Sequence, residues 1–367
     1  PSEAIKEICP LISLAQPPIR VTYSIVRSRG VIENLPQKKT FIGRLDERDF
    51  IVGLLTNEAA KIFITGMGGM GKTALALEVA NECINTGVFR VAIWVDGMTE
   101  LSLSRMLDII TEEFNFVGYK TLTDTDKRSK LRQLLRVESC LLIIDGYESI
   151  QDVAIKEFLN QLPRQCRLLI TSRHAEDWSD VENMSIRELN AFEEEELMRV
   201  RSQGKRLENA DSSVFHEIYR VCGGLPLALE WTVGQVNSGR QTVETITRNI
   251  TKAKIDALYS SLFESSFLSF TESEKQVLWA VTVSVGTVSK RALAYVTGFA
   301  EDEIDSVLGQ LIDLSFIYEN GEFEDRKVRF SIHPLLSNFM RVKLNQQPRN
   351  VSDTYITRYI RYFSDLV

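Results

Sequence analysis

The sequence predicts an α/β domain, a mostly parallel sheet with helices on both faces, followed by an all-α helical domain and a winged-helix domain. Three observations predict it. Strand-like apolar runs alternate with helical patterns from about residue 40 to about 189. The first strong strand, Lys61 to Thr65, runs straight into the glycine-rich turn Gly66-Met67-Gly68-Gly69-Met70-Gly71-Lys72-Thr73 and then, from Ala74, into a helix. From about residue 190 the strand pattern stops; helices take over, and a strand hairpin returns only near residue 320, behind three helices.

Gly66 to Thr73 fits G-x-x-x-x-G-K-[ST], a loop whose glycines let backbone N–H groups surround a polyphosphate without Cβ clashes. The helix start adds unpaired donors and a partial positive charge. In such a loop the Lys72 ammonium reaches the β- and γ-phosphates and the Thr73 hydroxyl ligates Mg²⁺. The same glycines (Gly66, Gly68, Gly71) also satisfy the dinucleotide fingerprint G-x-G-x-x-G, and Asp96 ends the next apolar run about where a ribose-binding acid would stand. Two features argue for the phosphate loop. A dinucleotide turn has no use for Lys-Thr directly after its last glycine. Further on, Cys140 to Asp145 reads as a buried strand ending in an acid, the partner a phosphate loop needs on its magnesium side.

In chain order, residues 1–39 are broken by Pro10, Pro17, Pro18 and Pro36 and read as a linker or the end of a preceding domain, with a weakly alternating edge strand at 19–26. Phe41-Ile42-Gly43-Arg44 precedes a helical pattern from Leu45 to Leu55; read alone, Gly43-Arg44 is a turn and a solvated cation. Strands are expected at 61–65, 88–96, 139–145, 166–172 and 183–189, and helices at 72–86, 101–114, 126–136 and 150–161. Residues 40–189 thus form the nucleotide-binding domain. Arg173 follows the strand ending Thr171-Ser172, and its position alone fits a surface cation as well as a γ-phosphate contact.

Residues 190–264 read as helical, with segments at 192–204, 211–222, 226–237, 241–252 and 254–262. Asn190 and Glu193 form a capping box, so Glu193 to Glu196 is expected to be a first turn facing water. Gly223-Gly224-Leu225-Pro226-Leu227 is a helix–turn–helix corner, glycine ending one helix and proline starting the next. Residues 265–345 open on a second capping box, Thr271 with Glu274, and continue through helices at 288–296 and 301–314, a turn at Asn320-Gly321 and a strand carrying Val328, Phe330 and Ile332. The third helix is acidic at its start and has no lysine or arginine, so phosphates would repel it and direct nucleic-acid binding is not expected. His333, next to Pro334, reads alone as a cap or packing residue. Residues 346–367 are expected to begin a further helical domain.

The length, 367 residues, suits about two to four domains. The net charge of −7 argues against broad nucleic-acid binding. Five cysteines without a C-x-x-C imply no metal site of their own and a reducing, cytoplasmic setting. No apolar run approaches a membrane span and no signal peptide is visible. A chain beginning at Pro1 and stopping inside a helical pattern reads as a fragment of a longer protein.

The order of these pieces resembles the NB-ARC branch of the STAND ATPases, which includes plant disease-resistance proteins, apoptosome scaffolds and bacterial signalling proteins, over roughly residues 40–345. Phe41, Ile42 and Arg44 are similar to the family's opening motif beside adenine and ribose. Gly66, Gly68, Gly69, Met70, Gly71, Lys72, Thr73 and the following Ala74 resemble its Walker A segment, and Leu141 to Asp145 its Walker B. Thr171-Ser172-Arg173 resembles the sensor segment whose arginine contacts the γ-phosphate. Gly224 to Ala228 matches the family's GLPLA motif, which implies Pro226 and Leu227 against adenine, and His333 falls where a winged-helix histidine touches the β-phosphate of ADP. The resemblance implies bound ADP or ATP, with Mg²⁺ on Thr73 and Asp145. It also implies a switch that is closed with ADP, open and self-associating with ATP, with effector and sensor domains outside this stretch. Any slow hydrolysis would rest on Lys72, Asp145, Arg173 and the nearby Glu148. Two departures stand out: Gly146 replaces a second acid after Asp145, and Pro334 replaces the aspartate that usually follows the histidine. An origin-recognition-like AAA+ ATPase and a nucleotide-gated transcription regulator, both DNA-binding, are the alternatives.

Overall fold

The computed structural model of the chain describes residues 32–36, 40–57, 61–98, 101–114, 122–178, 180–250, 259, 263–264, 266–284, 286–320 and 328–364. The edge strand expected at 19–26, the Gly321 turn and, apart from Tyr259, the helix expected at 254–262 lie outside the described residues.

The front of the chain builds six strands: β1 (Ile32–Glu33), β2 (Lys61–Thr65), β3 (Val91–Asp96), β4 (Cys140–Asp145), β5 (Cys166–Ser172) and β6 (Val181–Ser185). Their order is β1-β3-β4-β5-β2-β6, and every pairing is parallel. The four inner strands are apolar runs buried on both faces, as a parallel sheet covered on both sides demands. Alternate residues divide between the two faces. Ile62, Ile64, Leu141 and Ile143 share one core with helices α1 (Leu45–Asn57) and α2 (Lys72–Asn85). Phe63, Ile93, Leu142 and Ile144 share the other with α3 (Leu103–Glu113), α4 (Asp124–Leu135) and α5 (Val153–Asn160).

Boundaries moved where side chains cap. Ser102 accepts the Arg105 N–H and starts α3 later than expected. Asp152 does the same for α5, leaving Tyr147–Ser149 as a 3₁₀ turn. The strand expected at 183–189 ends at Ser185, in register with Thr65. The chain then leaves the sheet to reach the helices behind, where the Leu189 N–H donates to Gly224 O at 3.0 Å.

Helices α6 (Ala191–Ser202), α7 (Ser212–Cys222), α8 (Pro226–Asn237) and α9 (Val243–Ile250) pack on the first face, with Leu197, Phe215, Ile218 and Val233 joining that core. The Asn190–Glu193 capping box forms. Within its first turn, however, Glu194 does not face water but is fully buried, while Glu196 is exposed as expected.

Behind α8 lies a third cluster made by α10 (Glu272–Val283), β7 (Val288–Ser289), α11 (Lys290–Thr297), α12 (Glu301–Asp313), β8 (Ile317–Asn320), β9 (Arg329–Ile332), α13 (Pro334–Asn345) and α14 (Arg349–Ser364). Its three short strands form an antiparallel sheet, β7-β9-β8. Ser289 caps α11, so the helix expected from 288 opens as a two-residue strand. The last helix, α14, packs on this core: Tyr355 meets Trp279 edge to face at 6.1 Å, and Arg358 donates to the carbonyls of Val296 and Thr297. No described helix is long and apolar enough to cross a membrane.

Candidate functional site

The glycine-rich loop stands at the carboxyl end of β2, where parallel sheets bind ligands. Gly71 caps α2 in the left-handed region with no side-chain cap, so the donors of the first turn stay available. The Lys72 Nζ folds back and donates to the carbonyls of Gly66 and Met67, each at 2.8 Å. Burial lowers its pKa, Glu148 pulls it up, Arg173 pushes it down and Asp145 pulls it up. An anionic phosphate beside it would favour the charged form.

Thr73 and Asp145, read as the magnesium pair, meet: the Thr73 hydroxyl donates to Asp145 Oδ1 at 2.9 Å. The Thr171 hydroxyl donates to the same oxygen and itself accepts the Gly146 N–H at 2.9 Å. Burial lifts the Asp145 carboxyl to about 6 against both hydroxyls, with Asp96 and Glu148 adding to the rise. A buried acid aimed at a hydroxyl beside a phosphate loop fits Mg²⁺, which takes one or two protein oxygens and completes its shell with water and phosphate. Among the described residues no group of three or more His, Cys, Asp or Glu offers a dedicated metal cage.

Glu148 and Arg173 are brought together, but on each other: Arg173 Nε lies 3.3 Å from Glu148 Oε1. The expected phosphate contact and the nearby candidate base form a partly exposed ion pair. Gly146, the missing second acid, has a physical reason. Its φ is 75°, and a Cβ there would lie 2.5 Å from Met98 Cγ, so an acid at this position would strain the turn.

Arg44 overturns the reading of a solvated cation. It is buried, sits at φ 56°, and donates its N–H to Glu193 Oε1 at 2.8 Å. Neither Nη1 nor Nη2 has a hydrogen-bond partner among the described residues. Burial lowers its pKa, opposed by Glu47 and Glu193. A buried guanidinium without acceptors is costly, and a ligand's acceptor atoms would relieve it. Burial alone would raise the Glu193 carboxyl, but Arg187 and the N–H groups of Arg44 and Asn190 hold it at about 2. Phe41 and Ile42 pack, half-buried, on the adjoining core.

From behind, three elements touch the loop. The Leu227 N–H, in the first turn of α8, donates to Gly69 O at 3.3 Å, and a Cβ on Gly71 would lie 3.9 Å from Pro226 Cγ. The Tyr259 hydroxyl donates to Gly68 O at 3.3 Å. Leu335 of α13 would meet a Cβ on Gly68 at 3.2 Å. His333 is the N-cap of α13: its Nδ1 accepts the Leu335 N–H at 3.2 Å, and its ring stands edge-on to Trp231 at 6.2 Å. With Nδ1 accepting, the neutral imidazole carries its proton on Nε2. Pro334 occupies the first helical position, which proline suits. Sequence reasoning missed Tyr259 and Leu335, which belong to no motif, and the role of Thr171, whose hydroxyl at a strand end was the available signal.

Residues 46–202 match the NB-ARC domain family. The disease resistance protein UNI of Arabidopsis thaliana is 23% identical over 75% of this chain and 31% of its own length. The transcription activator GutR of Bacillus subtilis is 26% identical over 65% of this chain and 32% of its own length. The chain thus spans about a third of these curated relatives. In overall fold it is similar to a STAND protein with a tetratricopeptide repeat sensor from Pyrococcus horikoshii, with a TM-score of 0.64 at 16% identity over 89% of this chain and 46% of that one.

Proposed function

Because residues 46–202 match the NB-ARC domain family, we propose that the chain belongs to the NB-ARC branch of the STAND P-loop NTPases and is an ADP/ATP-dependent switch in signal transduction or defence. The observation that carries this reading is the phosphate loop with its Thr73–Asp145 pair, touched from behind by α8, Tyr259 and α13. ADP would favour that closed arrangement, and ATP an open, self-associating one. Residues 40–189 serve as the nucleotide-binding domain, 190–264 as the helical domain and 265–345 as a winged helix used for contact with protein. Gly66, Gly68, Gly69, Met70, Gly71, Lys72, Thr73 and Ala74 hold the phosphates. Phe41, Ile42, Arg44, Pro226 and Leu227 take the base and ribose, and His333 the β-phosphate. Mg²⁺ binds through Thr73 and Asp145.

Magnitudes support a distributed latch. Moving a population from 1:99 to 99:1 requires about 5.5 kcal/mol of differential binding. One charge-assisted hydrogen bond contributes about 1.5–3 kcal/mol, so His333 acts with the interface around it. Hydrolysis is slow in this reading, because Glu148 is paired with Arg173 and Gly146 bears no acid. The acidic start of α12, whose Glu301 and Asp305 face Lys290, argues against DNA reading. Purified protein should carry ADP, seen by chromatography after denaturation. Protein that neither carries ADP nor takes it up on addition would sink the switch.

A further inference from the structure

Helix α8 touches both halves of the molecule. Its first turn is hydrogen-bonded to the loop at Gly69. About one turn on, the buried Trp231 donates from Nε1 to Ser315 O at 2.8 Å. At Gly234 the helix lies directly on the rear unit: a Cβ there would come within 3.0 Å of Leu314 Cα and Leu314 O. Tyr259 completes the connection, its hydroxyl on Gly68 O and its ring edge-on to Trp231 at 5.8 Å. Leu227 and Gly234 are separated by about 10 Å of continuous helix, a length over which a helix does not bend appreciably.

We propose that α8 is a rigid strut coupling nucleotide to domain docking, with Gly234 and Trp231 as positioning residues that act on the phosphate loop from outside the nucleotide site. The proposal rests on the nucleotide-switch reading and assigns its coupling to a place that touches no nucleotide. Seating the rear unit on Leu314–Ser315 sets the position of α8, and α8 sets the Gly69 carbonyl. Linkage then makes the effect reciprocal: nucleotide in the loop holds the rear unit, and the docked rear unit slows nucleotide release.

The test uses the whole chain and a fluorescent ADP analogue, reading its dissociation rate together with the protection that ADP gives the 314–320 segment against limited proteolysis. Gly234→Val forces the α8–Leu314 contact apart. It should speed analogue release by about tenfold or more and abolish the ADP-dependent protection. Trp231→Phe keeps an aromatic ring but removes the donor to Ser315 O and part of the buried indole, and should speed release about fivefold or more, the worth of at least one hydrogen bond. Gly309→Ala in α12, where a Cβ meets nothing within 4 Å, should change neither readout. Thermal melts establish that each variant is folded; if Gly234→Val is not, Trp231→Phe decides. Unchanged release from a folded variant, with or without loss of protection, overturns the strut. A wild-type chain that binds no analogue instead overturns the nucleotide reading beneath it.

Discussion

Glu194 is a carboxyl with no exposed surface and no hydrogen-bond partner for either oxygen among the described residues. Burial, helped by Glu188 and Glu193, raises its pKa from 4.5 to about 8. Between those values the folded chain holds a proton the unfolded chain has released. Stability therefore falls as pH rises through that window, by at most about 1.4 kcal/mol per pH unit, and the loss is complete above the folded value. Glu194→Gln should flatten that slope in urea titrations at several pH values; an unaltered slope would show that the carboxyl is solvated. Asp145, lifted to about 6, gives a prediction with its own sign. Mg²⁺ needs the carboxylate, so magnesium-dependent nucleotide affinity should weaken as pH drops through about 6, and Asp145→Asn should remove the dependence, as calorimetry would read. Gly146→Asp should not create a better ATPase. With φ at 75° and Met98 in the way, it should lower the melting temperature, and a gain in turnover would contradict the steric account.

At the scale of elements, several starts and stops were legible because their causes are local. The capping boxes at Asn190 and Thr271 formed where S/T/N-x-x-E predicts them. The four inner sheet strands were legible as buried apolar runs, and β5 matched residue for residue, whereas the two-residue edge strand β1 was not expected. Other ends shifted by two or three residues because Ser102, Asp152 and Ser289 offered caps that the apolar pattern does not weigh. His333 has two jobs within reach: it caps α13, and its Nε2 carries the proton a phosphate would accept. His333→Ala should lower stability by about 1 kcal/mol through the lost cap and, if the histidine also meets ADP, speed ADP release. Lower stability with release unaltered would leave it a cap alone.

For the whole molecule, one core sits on each sheet face and a third behind α8, with Leu227 and Trp231 counted in that third core although their helix also packs against the first. Ligand binding should therefore be felt across the chain. Saturating ADP at about a hundred times its dissociation constant should stabilise the protein by about 2.7 kcal/mol. Lys72→Ala should abolish that gain in a melting-temperature titration; an equal gain in the variant would remove Lys72 from the site.

The sequence by itself determined the phosphate loop, its acid at the end of β4 and the alternation that makes a parallel sheet, because loop chemistry and hydrophobic period are written in neighbouring residues. Only the tertiary structure decided that Arg44 is buried with neither Nη partnered among the described residues, that Arg173 turns to Glu148, that Thr171 shares Asp145 with Thr73, and that Tyr259 and Leu335 close on the loop. Each of those depends on contacts between segments tens to hundreds of residues apart, where packing and desolvation, not local pattern, choose the neighbour.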